Sequence, residues 1–79
     1  MFEARQTLEL VQIARAGGGF EIRVGARQTV ELVQIAQAAA QRGGTIFMRG
    51  LAARQTVELV QIAQAGAGHV VFADPLPDN

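Results

Sequence analysis

The sequence predicts an α/β fold: three tandem helix–strand repeats in two layers, with a parallel three-stranded sheet of order 1-2-3 and all helices on one face. Three observations predict it. Residues 26–38, ARQTVELVQIAQA, recur letter for letter at 53–65, and residues 4–16 differ from them only at Leu8 and Arg15. Each copy runs into glycines and then a short stretch rich in β-branched and aromatic residues. Strands separated by single helices need crossover connections, so they pair in parallel. Right-handed crossovers repeated without reversal add strands in chain order and collect the helices on one side.

The repeats fall at 4–25, 26–52 and 53–74 of a single domain, residues 1–79, with a short tail at 75–79. The copies start at residues 4, 26 and 53, so the second unit is longer than the first. Its extra residues divide between 39–42, about one helical turn, and Leu51-Ala52. Insertions at element ends leave an architecture intact.

Each copied segment reads as a helix. At about 100° per residue, Leu32, Val33, Ile35, Ala36 and Ala39 share one face, with Gln34, Gln37 and Gln41 opposite and Glu31 at the margin. Strong helix formers dominate and no proline intervenes. Thr7, Thr29 and Thr56 are the expected N-caps, each with a glutamate two positions on. A start three residues earlier is the alternative, in which Arg27 and Glu31 form an i,i+4 pair. The glycines after each helix are expected to cap its C-terminus, where a left-handed residue is easiest without a Cβ. The expected strands are 20–24, 45–49 and 69–73, the last closed by Asp74-Pro75 and Pro77.

Aligned on their leading glycines, the strands place Ile22, Phe47 and Val71 in one apolar column, expected to pack on the helices. The opposite face then carries Glu21 and Arg23 in the first repeat, and Ile46, Met48, Val70 and Phe72 in the other two. Parallel sheets are normally covered on both faces, and such a patch is uncommon on a monomer. Ile46, Met48, Val70 and Phe72 are therefore the expected oligomer interface, most simply a two-fold dimer. The rival geometry joins strand edges, continuing the sheet or closing it into a ring.

Composition narrows the function classes. Hydrophobic residues make up 49% of the chain and the formal net charge is zero. That balance rejects disorder and supplies no field to attract nucleic acid or an anionic membrane. The seven basic residues are all Arg; Lys, Ser, Cys, Tyr and Trp are absent. The three commonest covalent nucleophiles are thus missing, as are disulfides. Lys-free, Ala-, Gly- and Arg-rich usage fits a GC-rich bacterial gene. No run of roughly 18 apolar residues and no secretory leader pattern is present, so a cytoplasmic protein without membrane association is expected.

Candidate chemistry is sparse. The glycines at 17–19 and 43–44 run from helix into strand, the reverse of a phosphate loop, and no Gly-Lys-Ser/Thr follows. His69, the only histidine, has no partner in a local motif. Glu9, Glu31 and Glu58 are copies of one another, as are Arg5, Arg27 and Arg54 and the glutamines at 12, 34 and 61. Stacking would align them in rows, read here as solvated side chains or as a surface for an extended partner. Arg23, Arg42 and Arg49 with Phe47 could suggest base stacking, but Phe47 is assigned to the core column and nucleic-acid binding is not expected.

The resulting expectation is a non-enzymatic structural or protein-interaction module that self-associates, with no cofactor or metal. One alternative is a small-molecule-binding protein or enzyme whose site forms between subunits from Glu21, Arg23, Arg49, His69 or Asp74. Another is a designed or recombined repeat chain without a biological role.

Overall fold

A computed structural model of the chain describes residues 6–73. The elements alternate: α1 (Thr7–Arg15), β1 (Phe20–Arg23), α2 (Thr29–Arg42), β2 (Ile46–Arg49), α3 (Thr56–Gly66) and β3 (Val70–Phe72). The three strands form one open parallel sheet of order β1-β2-β3. Helix α1 packs on α2 and α2 on α3, and side chains of all three helices join those of β1 and β2 in one apolar cluster. Asp74 and the tail lie outside the described residues, as does Arg5.

The helices start at the threonines, but the cap is the residue before. Gln6, Gln28 and Gln55 are extended, with ψ near 150°, and Thr7, Thr29 and Thr56 are already helical. Three positions past each glutamine, Glu9, Glu31 and Glu58 reach back to accept its backbone N–H at 3.0, 2.9 and 3.2 Å. That carboxylate both satisfies an orphan donor and sits at the positive end of the helix dipole. The threonine hydroxyls, relieved of capping, are free to bond elsewhere.

At the C-termini, α2 closes as expected on left-handed Gly43, whose N–H bonds the Ala39 carbonyl at 2.9 Å. Helix α1 ends on right-handed Ala16, with Gly17 (φ 93°) following. Helix α3 departs from expectation: Gly66 stays helical and the left-handed position, φ 49° and ψ 43°, falls on Ala67. Gly66 is held by packing instead, since a Cβ there would lie 2.6 Å from Val70 Cγ2.

The strand faces are the reverse of those expected for the second and third strands. Phe20 pairs with Ile46 and Ile46 with Val70; Glu21, Phe47 and Val71 form the next row, and Ile22, Met48 and Phe72 the third. Ile46 and Met48 are wholly buried against the helices, whereas Phe47 is 43% exposed on the opposite face. The cause is one residue. Phe20 follows Gly19 directly, but Thr45 stands between Gly44 and Ile46, and His69 between Gly68 and Val70. Strand side chains alternate with period two, so this single spacer exchanges the faces. A subunit interface through Ile46 and Met48 is thereby removed, because the chain's own helices cover them.

Burial also runs down along the stack. Ile22 and Met48 are fully buried, but Phe72 in the same row is 39% exposed; Phe20 and Ile46 are buried and Val70 only half so. Among equivalent helix positions, Val11 is buried, Val33 half-buried and Val60 45% exposed. Ile13 shows the opposite trend, half-buried where Ile35 and Ile62 are completely enclosed. The valine edge of each helix therefore looks toward the following unit and the isoleucine edge toward the preceding one.

Candidate interaction surface

Gln12, Gln34 and Gln61 are exposed, but the copied threonine, arginine and glutamate are not solvated bystanders. The Arg27 guanidinium donates from Nη1 to Thr7 Oγ1 at 2.7 Å, and the Thr7 hydroxyl donates to Glu31 Oε2 at 3.3 Å. One unit on, Arg54 Nη1 donates to Thr29 Oγ1 at 3.0 Å and Thr29 to Glu58 Oε2 at 3.1 Å. Arg54 Nη2 also donates to the Arg27 backbone carbonyl. Each hydroxyl thus accepts from an arginine and donates to a glutamate, both belonging to the next unit. Partial burial makes these charge-assisted bonds stronger than ordinary surface pairs. They clip α1 to α2 and α2 to α3 with the same three residue types.

The glycine loops make a second clip. A Cβ on Gly44 would lie 2.9 Å from the Gly18 carbonyl oxygen and 3.1 Å from that of Gly17. Backbone there packs on backbone, with no room for a side chain. His69 adds to this end of the sheet, its Nδ1–H donating to the Gly44 carbonyl at 3.1 Å. The histidine is engaged in holding β3 to the loop before β2.

The uncovered face of the sheet carries Glu21, Arg23, Phe47, Arg49 and Val71. Glu21 and Arg49 form an ion pair across β1 and β2, and Arg49 Nη1 donates to the Ala73 carbonyl at 2.6 Å. Phe47 and Val71 lie side by side in the register, 43% and 39% exposed. Phe47 is thus not a core residue, and it shares its face with Arg23 and Arg49, whereas Arg42 ends α2 on the other side of the Gly43-Gly44 turn. Of the residues considered for a site between subunits, Glu21 and Arg49 are paired with each other. His69 sits at the opposite end of the strands from Arg49. Arg23 lines a separate open depression of 710 Å³ with Gln6, Arg27 and Glu31.

Two shallow grooves run between the helices on their outer side. The first, 390 Å³, lies between α1 and α2 and is lined by Thr7, Leu8, Val11, Gln34 and Gln37. The second, 540 Å³, lies between α2 and α3 and is lined by the equivalent Thr29, Val30, Val33, Gln61 and Gln64. Both set apolar side chains beside glutamine amides, and the first is also lined by the charged Arg15 and Glu31. Among the described residues, no cluster of three or more His, Asp or Glu side chains is placed to hold a metal. Among the described residues, no helix is long and apolar enough to cross a membrane. Comparison with known protein families, with curated proteins and with solved structures finds no match to this chain.

Proposed function

We propose that the chain is a tandem-repeat module with a structural or protein-interaction role, and that it works by associating with itself. One observation carries this reading. Seven large apolar side chains, Leu8, Val30, Phe47, Val57, Val60, Val71 and Phe72, are each between 39% and 66% exposed in a chain of 79 residues. Burying a side chain of that size contributes about 1.5–3 kcal/mol. Because each is already about half-buried, covering all seven would add roughly 5–10 kcal/mol, comparable with the stability of a small domain. The copied polar residues support the same reading, because Thr7, Thr29, Arg27, Arg54, Glu31 and Glu58 join neighbouring helices while Thr56 stands exposed at the end of the row.

Light scattering coupled to size exclusion tests it, with refractive-index detection because Trp and Tyr are absent. The expected result is a mass above the 8.4 kDa of one chain that rises between micromolar and submillimolar concentration. A folded monomer across that range would overturn the proposal.

A further inference from the structure

We infer that copies of the chain associate head to tail. The α3–β3 end of one molecule receives the α1–β1 end of the next, as α1–β1 receives α2–β2 within the chain. The inference rests on the self-association proposed above and assigns its partner and mode, a second copy in heterologous contact.

Three features of the two ends carry it. The first is the apolar surface. The tail end exposes Val60 and Phe72 and leaves Leu59 and Val70 half-covered; counterparts that face a following unit are buried, except Val33, which is half-buried. The head end offers Ile13, whose counterparts Ile35 and Ile62 are enclosed because a unit precedes each of them.

The second feature is the hydroxyl clip. Thr7 and Thr29 each bond an arginine and a glutamate of the next unit, whereas Thr56 is exposed and has no such partner among the described residues. At the head, Glu9 takes the Gln6 N–H through Oε1, as Glu31 and Glu58 take theirs. Those two use Oε2 for the hydroxyl of the preceding helix. Glu9 therefore occupies the place from which a carboxylate meets Thr56 of another copy. The sequence counterpart of Arg27 and Arg54 is Arg5, outside the described residues.

The third feature is the sheet edge. Phe20 and Val24 donate their N–H groups to Thr45 and Arg49 carbonyls, and Ala73 donates to the Met48 carbonyl. Backbone groups alternate along a strand, so the amides of Glu21 and Arg23 point out of one edge and that of Phe72 out of the other. Adding β1 of a second copy beside β3 in parallel continues the buried row Phe20–Ile46–Val70 with the next Phe20. A two-fold contact between tail ends would also cover Val60 and Phe72, but it would bring Thr56 neither the guanidinium nor the carboxylate of a head end. A heterologous contact instead repeats, into a closed ring or an open stack.

The test uses two blocked variants of the full chain. Val60→Arg places a charge in the tail surface, and Ile13→Arg places one in the head. Each is expected to run as a folded monomer by light scattering and far-UV circular dichroism, with a dissociation constant raised roughly a hundredfold. Mixed in equal amounts, they are expected to form a complex of twice the monomer mass and nothing larger, since one intact head meets one intact tail. Should Ile13→Arg fail to fold, Glu21→Pro replaces it, removing an edge N–H that an outer strand can do without. If folded Val60→Arg associates like the wild type, or if the folded, monomeric variants do not combine, the head-to-tail mode is overturned while self-association stands. Phe47→Glu would then identify pairing through the sheet face. A monomeric wild type overturns both readings.

Discussion

Thr29 and Thr56 are the same residue in the same sequence context, yet they stand in different surroundings. Thr29 holds Arg54 and Glu58, and Thr56 holds neither among the described residues. Thr29→Val is expected to lower stability by about 1–2 kcal/mol, because it also leaves a half-buried guanidinium and carboxylate without their hydroxyl. Thr56→Val is expected to be nearly neutral under dilute, monomeric conditions. Urea unfolding followed by circular dichroism measures both; equal effects would show that the hydroxyl clip contributes nothing. Ala67 supplies a prediction of opposite sign. A left-handed alanine costs about 1–2 kcal/mol that glycine avoids, so Ala67→Gly is expected to raise the unfolding midpoint. Neither position was legible beforehand. Gln-Thr-x-Glu contains two residues able to open a helix, and only the reach of the glutamate to the residue three before it selects Gln. At the C-terminus, Gly66 looks like the cap until Val70 is known to sit against it.

At the scale of elements, the helices and the order of the sheet follow directly from the sequence, because identical segments joined by short crossovers leave little choice. The strand faces do not follow. The apolar runs 45–49 and 69–73 are compatible with either phase, and the deciding fact is whether a spacer separates the last glycine from the first paired residue. Packing between the glycine loops settles it, and that packing joins residues far apart in the chain. Gly44→Ala is accordingly expected to destabilise by about 1–3 kcal/mol, since the new methyl meets a carbonyl oxygen that cannot move aside. A loss no larger than that of an alanine at exposed Gly25, beyond its own left-handed cost, would show that the contact between the loops contributes nothing to stability.

For the whole molecule, the reversal of the strand faces redistributes the apolar surface. Four side chains expected on one sheet face become two buried in the core and two at the end of the stack, while the outer face keeps Phe47 and Val71. Exposure at Phe47 and Val71 matches that at Val60 and Phe72, so the proposed self-association is assigned to the ends by the hydroxyl clip and the strand edge. Phe47→Glu is expected to leave both the fold and the associated mass unchanged, as scattering of the variant would show. The rows of arginine and glutamate were visible as rows in the sequence. Their use was not, because a bond from one helix to the next depends on which side of each helix faces its neighbour.

The clip of hydroxyl, guanidinium and carboxylate also bears on how such a gene changes with time. Both junctions are closed by the same three residue types, so a unit inserted between residues 52 and 53 brings every partner its neighbours require. Unequal recombination between the segments that encode these copies could lengthen the protein one unit at a time without compensating substitutions. Variation in length among alleles would then cost the fold almost nothing, and the loops between the copies would be the place where one unit comes to differ from another.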